Sequence, residues 1–117
     1  MPLGREEFLA RLAHDFPDAA AGIDKYDDGL LHCEMAAFRR ATEEAMDCGR
    51  LWEAERHFRW VEEMLKVAGP ELRNALEISY LEDMALGEST PARYQAVKER
   101  MPKALRQILI AHHRQWQ

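Results

Sequence analysis

The feature that most constrains this chain is the regular spacing of its prolines and glycines, which divide it into segments of helical length. Within those segments apolar residues recur every three or four positions, as expected for one face of an α-helix. No stretch alternates apolar and polar residues for long enough to predict a strand. The sequence therefore predicts an all-α fold, in which helices account for nearly all of the ordered structure.

Helix boundaries follow from these breaks. Phe16–Pro17 ends a first helix because the residue before a proline is disfavoured in helical conformation, and Gly49 is placed to end a second. Gly69–Pro70 separates the third helix from the fourth, since proline suits the first position of a helix. The predicted helices are Arg5–Asp15, Gly29–Cys48, Leu51–Val67, Glu71–Leu86, Pro91–Arg100 and a last helix from Pro102 to Trp116, with a loop over Asp18–Gly22.

The length and the short connections predict how these helices are arranged. A chain of 117 residues suits one domain, which we place over residues 1–117. Short links at Gly49–Arg50 and Val67–Pro70 force successive helices into antiparallel hairpins. Ala54 and Phe58 partly match the packing positions of a tetratricopeptide hairpin, but no full repeat occurs twice. We therefore expect a single-domain bundle of five to six helices built from antiparallel hairpins, partly tetratricopeptide-like.

The predicted core consists of apolar stripes on these helices. The first helix contributes Phe8, Leu9 and Leu12. The stripe of the second helix is Leu31, Met35, Phe38, Thr42 and Ala45, that of the third is Leu51, Ala54, Phe58, Val61 and Leu65, and the fourth contributes Leu72, Ala75, Leu76 and Ser79. Trp60, Met64 and Val67 form a second stripe on the third helix, which is therefore expected to be central. Of Trp52 and Trp60, one is expected to be partly exposed.

Charge is distributed unevenly along the chain. Residues 1–90 carry a net charge of -10 and residues 91–117 a net charge of +5, so the body is acidic and the tail basic. An acidic body argues against nucleic-acid binding, because phosphate contacts need clustered lysine and arginine. We expect a basic protein partner, and expect the basic tail to pair with the acidic body.

The N-terminal residues and the cysteines predict the compartment. The N-terminus carries charges where a secretory signal would have an apolar stretch, and no run approaches the length of a membrane span. Two cysteines are too few for a disulfide scaffold and are consistent with reduced thiols. A cytoplasmic protein without membrane contact is therefore expected.

No motif in the chain predicts catalysis or a metal site. The acidic stretch Asp24–Met35 resembles a calcium loop only in part, because Tyr26 and Met35 occupy positions that need oxygen ligands. The histidines and cysteines lack the spacing of zinc or di-iron sites, and no nucleophile or phosphate-loop motif occurs. We therefore expect no enzyme activity, no cofactor and no metal; Asp27 and Asp28 are instead expected to cap the second helix or to form an acidic surface patch.

Two acidic segments remain as candidate contact surfaces. In the fourth helix, aromatic, apolar and acidic residues occupy consecutive positions, so some of Tyr80, Leu81 and Met84 are expected to face away from the core. The alternative is that this helix is sandwiched, with both of its faces buried. The predicted partner-binding residues are Asp24, Tyr26, Asp27 and Asp28 in the first segment and Glu77, Tyr80, Glu82 and Asp83 in the second.

The segments "LLHCEMAAF", "GRLWEAERHFRWVEEML", "ELRNALEISYLEDM" and "MPKALRQ" together resemble a family of small helical bacterial proteins of uncharacterised role. Members of that family are similar to the immunity proteins encoded beside polymorphic toxins, and the resemblance spans Arg5 to Trp116. It implies an interaction protein that binds and neutralises a cognate, basic toxin by occluding its active site. The alternative is a helical adaptor or scaffold that binds a peptide, or assembles with itself as a homodimer, through its hairpin groove.

Overall fold

The computed structural model describes residues 2–23, 29–84 and 91–112, with the backbone alone for 91–94 and 112. This part of the chain is helical and contains no strand, which confirms the all-α fold. The helices are α1 (Arg5–Asp15), α2 (Pro17–Ala21), α3 (Leu31–Asp47), α4 (Leu51–Val67), α5 (Pro70–Ala75), α6 (Pro91–Arg100) and α7 (Lys103–His112). A π-helical segment, Leu76–Glu82, continues α5 without a break.

The N-terminal segment is tied to the connection between α4 and α5. Leu3 donates its N–H to the carbonyl of Val67 at 2.8 Å, and its own carbonyl accepts the N–H of Gly69 at 2.9 Å. Arg5 then forms two hydrogen bonds to the buried carboxylate of Glu34 on α3, at 2.7 and 2.8 Å. These contacts hold α1 against α3 and α4.

The predicted loop over Asp18–Gly22 is wrong in part, because this stretch is mostly helical. Phe16 ends α1, as predicted, but Pro17 begins the short helix α2 directly, and Ala19 is buried. Proline at a first helical position and the following run of alanines both favour a helical turn. The result is a sharp α1–α2 corner that packs on α3.

The corner between α3 and α4 is set by Gly49. This residue has φ +80°; its N–H bonds to the carbonyl of Met46 at 3.1 Å, while Arg50 N–H bonds to that of Ala45 at 2.8 Å. Such a pair of bonds defines a Schellman cap, which glycine favours because a side chain disfavours positive φ. At its other end α3 begins at Leu31 with Leu30 as N-cap; Asp27 and Asp28, which were expected to cap this helix or to form an acidic surface patch, lie outside the described residues.

The fourth predicted helix differs most from its expected form. After Ala75 the hydrogen bonding widens to the π pattern, and Asp83 N–H bonds to the carbonyl of Ile78 five residues earlier. The π segment contacts α3 on one side and α7 on the other. Tyr80, Leu81 and Met84 are all buried. Their expected exposure was wrong, and the sandwiched alternative is correct.

One hydrophobic cluster connects the helices, from Phe8 on α1 to Leu109 on α7. The predicted stripe of α3 is fully buried, and α4 contributes Ala54, Phe58, Val61 and Leu65 as expected. Both α6 and α7 contact α4, and Arg100 lies 3.7 Å from the carboxylate of Glu55. The described part of the basic tail thus packs on the acidic body.

Candidate functional site: a charged cleft beside Trp52

The two predicted acidic segments have different outcomes. Asp24, Tyr26, Asp27 and Asp28 lie outside the described residues. In the second segment Glu77 and Glu82 are half-buried, whereas Asp83 is exposed and lies 3.7 Å from Arg39 Nη1. None of these three carboxylates borders the cleft described below.

Tyr80 is the clearest correction within the predicted contact surface. Its side chain is fully buried, and its ring stacks on Phe38 with centroids 4.8 Å apart. The Tyr80 hydroxyl lies 2.8 Å from Thr42 Oγ1, and burial raises the pKa of this phenol far above its ordinary value. Tyr80 is therefore a core residue and presents nothing to a partner in this structure.

A cleft of about 520 Å³ opens where the α1–α2 corner meets α3 and the start of α4. Its volume lies within the range of roughly 300–1,000 Å³ that is typical of ligand sites. Four of its lining residues are acids and two are arginines. The lining residues are Asp15, Phe16, Pro17, Asp18, Ala19, Ala41, Glu44, Arg50, Trp52, Glu53, Arg56 and His57.

The aromatic residues beneath the cleft make its inner wall rigid. Phe16, at the α1–α2 corner, contacts the ring of His57 at 4.6 Å and that of Trp60 at 5.5 Å between centroids. Phe38 packs against the same two rings, at 5.1 and 5.4 Å. Because these rings come from α1–α2, α3 and α4, they fix the three walls of the cleft relative to one another.

His57 is the buried polar residue of the cleft. It is 2% exposed, and its Nδ1 lies 2.8 Å from Thr42 Oγ1, which also contacts the Tyr80 hydroxyl. Burial lowers the pKa of His57 from 6.5 to about 4, because a charged imidazolium would lose its hydration there. At neutral pH the ring is therefore uncharged and can both donate and accept one hydrogen bond.

The charges around the cleft divide into paired and unpaired groups. Asp15 accepts the indole N–H of Trp60 at 2.8 Å, and its hydrogen bond with His14, followed by that with Trp60, lowers the pKa of the Asp15 carboxyl. Glu53 pairs with Arg50 at 2.6 Å. By contrast, Asp18 and Glu44 are exposed and make no ion pair with any residue of the described ranges.

Trp52 is the large apolar side chain of the cleft that faces solvent. It is 59% exposed, although it lies on the first turn of a helix whose other face forms the core. Arg56 stands one turn later, with its guanidinium 5.4 Å from the Phe16 ring centroid. An exposed tryptophan beside charged groups is the composition that protein interfaces favour at their energetic centres.

The described part of the chain holds neither a metal-binding cluster nor a membrane-spanning helix. No three histidine, cysteine or carboxylate side chains there come close enough together to hold a metal ion. Within the same residues, no helix combines the length and the apolar character needed to span a bilayer.

The described part of the chain is thus helical, with a charged, tryptophan-bordered cleft on its surface. The chain belongs to the family described as Domain of unknown function (DUF7674), whose model matches residues 9–117. No curated protein and no solved structure matches the chain.

Sequence reasoning did not predict the cleft, although it anticipated one exposed tryptophan. Trp52 lies off both apolar stripes of α4, and this is the signal that favours its exposure. Asp18 lines the same cleft as Glu44 because it lies on helix α2, which the sequence did not predict. Residues so far apart in sequence could be brought together only by the structure.

Proposed function

We propose that this protein is a cytoplasmic, immunity-type interaction protein that binds a cognate basic bacterial toxin and occludes the toxin's active site. The observation that carries the proposal is the cleft, whose lining combines the exposed indole of Trp52 with the carboxylates of Asp18 and Glu44, which make no ion pair with any described residue. Such a surface offers both an aromatic anchor and negative charge to a partner. No catalysis by this protein is required.

The charge of the whole chain supports a basic partner. The net charge is -5, and the acidic excess is concentrated in residues 1–90. Enzymes that act on nucleic acids are basic because their substrates are anionic. An inhibitor of such an enzyme gains from opposite charge, which accelerates encounter and selects the partner.

The experiment is co-expression with the product of the adjacent gene, where that gene encodes a toxin. Cells that express the toxin with the wild-type protein should grow, and purified protein should inhibit the toxin stoichiometrically. Trp52→Ala should weaken the protection, while Glu71→Gln, an exposed change outside the cleft, should not. Toxin activity that persists with excess wild-type protein would refute the proposal.

A further inference from the structure

The free edge of His57 distinguishes this cleft from an ordinary acidic surface. Its Nδ1 is bonded to Thr42, whereas Nε2 has no hydrogen-bond partner among the described residues. Among the described residues, Arg106 Nε is the buried side-chain polar atom that lacks both a hydrogen-bond partner and solvent access. His57 Nε2 has no partner but is not such an atom, so it retains some solvent access. Since His57 lines the cleft, its Nε2 is exposed to whatever occupies the cleft.

The buried hydrogen bonds favour one tautomer of His57. Thr42 donates its hydroxyl proton to the carbonyl of Phe38 at 3.4 Å, which leaves Oγ1 with two acceptor positions. The Tyr80 hydroxyl is buried with Thr42 as its hydrogen-bond partner, so it donates into one position. His57 Nδ1–H donates into the other. This arrangement of donors assigns the proton of the neutral ring to Nδ1, so that Nε2 presents a lone pair to the cleft.

Two carboxylates and one ring nitrogen accept hydrogen bonds into the cleft, one from each wall, and have no partner among the described residues. Arg56 also lines the cleft with exposed donors, but the lining holds four acids against two arginines and is therefore acidic on balance. Asp18 contributes a carboxylate from α2, Glu44 one from α3, and His57 the Nε2 lone pair from α4. Trp52 adds an exposed ring face, while Arg56 already lies over Phe16. The complementary occupant is a cation with several donors and a flat surface.

We propose that the cleft binds an arginine side chain on a basic segment of the partner protein, an inference that rests on the proposed function. A guanidinium has five donors in one plane and stacks on an indole, whereas a lysine ammonium has three donors and no flat face. The stack forms on Trp52, and the donors reach the carboxylates of Asp18 and Glu44 and the Nε2 of His57. Arginine is thereby selected over lysine.

The test is an NMR titration of the ¹⁵N-labelled protein with the peptide acetyl-Ala-Arg-Ala-amide. Peptides with citrulline or lysine at the central position are the matched ligands. The arginine peptide should shift the Trp52 indole N–H and the His57 ring nitrogens, and bind more tightly than either control. Asp18→Asn and Glu44→Gln should each weaken binding about threefold, and Glu71→Gln should leave it unchanged.

The outcomes that would overturn the inference are specific. Equal binding of the citrulline peptide, unchanged affinity in the two cleft variants, or no shift up to the solubility limit would each do so. In the free protein, ring-nitrogen shifts that place the proton on Nε2 would contradict the acceptor assignment. The variants change exposed side chains, and circular dichroism is the check that they fold as the wild type does.

The arginine site and the proposed function can fail separately. If the peptide binds but the adjacent toxin does not, the immunity role is wrong and the arginine site stands. If the toxin binds equally well to wild type, Trp52→Ala and Glu44→Gln, the immunity role stands and this cleft is not its contact surface.

Discussion

At the scale of single residues, His57, Thr42 and Tyr80 form a buried polar chain between α4, α3 and the π segment. Thr42 Oγ1 lies 2.8 Å from His57 Nδ1 and 2.8 Å from the Tyr80 hydroxyl. Burying these groups is tolerable only because they satisfy one another. These hydrogen bonds fix the imidazole of His57 in position.

The lowered pKa of His57 predicts a loss of stability in mild acid. The pKa is about 4 in the folded protein against 6.5 ordinarily, so between these values the unfolded chain binds the proton first. Stability contributed by the neutral ring is present above pH 6.5 and is lost as the pH falls towards 4. Urea denaturation should show a loss of about 2 kcal/mol from pH 7 to pH 5.

The matched comparison for this pH effect uses two variants. His57→Asn retains a donor toward Thr42 but cannot titrate, so its stability, although lower at pH 7, should change little between pH 7 and 5. His14→Gln alters a histidine whose side chain is 88% exposed and should behave as the wild type does. A pH dependence that is the same in His57→Asn and wild type would assign the effect elsewhere.

A second prediction at this scale concerns Arg5 and Glu34. The Glu34 side chain is 1% exposed and Arg5 is its ion-pair partner; the hydrogen bonds from Arg5 are the main cause of the lowered pKa of the Glu34 carboxyl. Arg5→Met leaves a buried carboxylate that, among the described residues, still accepts the N–H of Gly29 at 3.2 Å. Unfolding free energy should fall by roughly 2–3 kcal/mol.

Two further proteins make the Arg5 measurement interpretable. Arg59→Met removes an ion-pair partner of Glu55, and the Arg59 side chain is 72% exposed. This change should lower the unfolding free energy by less than about 1 kcal/mol. The double change Arg5→Met, Glu34→Met should recover part of the loss, because no charge is then left buried. A double variant whose unfolding free energy is no higher than that of Arg5→Met would contradict this explanation.

At the scale of secondary-structure elements, the sequence was most informative where strong local signals coincided. The bounds of α1, α4 and α6 agree with those predicted from proline, glycine and apolar spacing. Local signals were insufficient for the stretch Leu76–Glu82, because a helix with one buried face does not predict that Tyr80 and Leu81, which point about 100° apart, are both buried. Burial on both sides, against α3 and α7, reconciles them.

The candidate site was predicted less well than the fold, for a physical reason. A stripe of core residues repeats along one helix and is visible in the sequence. The cleft instead depends on the distance between α2 and α3, and no local pattern encodes that distance. Trp52 could be identified as lying off the core, but its neighbours Asp18 and Glu44 could not.

The Schellman cap at Gly49 gives a prediction at the element scale. A Cβ at this position would meet no atom within 4 Å, and φ is +80°, so the cost of a side chain is conformational and not steric. Gly49→Ala should lower the unfolding free energy by about 1–2 kcal/mol, while Gly49→Asn should cost less, since asparagine tolerates this region. Equal costs for both variants, measured in urea, would argue against a conformational origin.

At the scale of the whole molecule, charge and shape act together. The described helices of the basic tail pack against α4, and Arg100 approaches Glu55. Part of the positive charge of the tail is thus neutralised within the molecule, by a carboxylate that does not line the cleft. The proposed long-range attraction to a basic partner should therefore weaken as ionic strength rises.

The acidic stretch before α3 gives a prediction at this scale. Replacing Asp24, Asp27 and Asp28 by lysine changes the net charge from -5 to +1, which should slow association with a basic partner while leaving the helices folded. Stopped-flow fluorescence at low salt measures the rate, and circular dichroism checks the fold. An unchanged rate would remove this stretch from the interaction.

The most direct measurement is the association rate constant of the wild-type protein with the adjacent-gene toxin, followed as the salt concentration rises. If an acidic surface recruits a basic toxin, association is fast at low salt and slows steeply as salt is added, and Trp52→Ala mainly accelerates dissociation. An association rate that does not depend on salt, or the absence of a complex, would contradict the account.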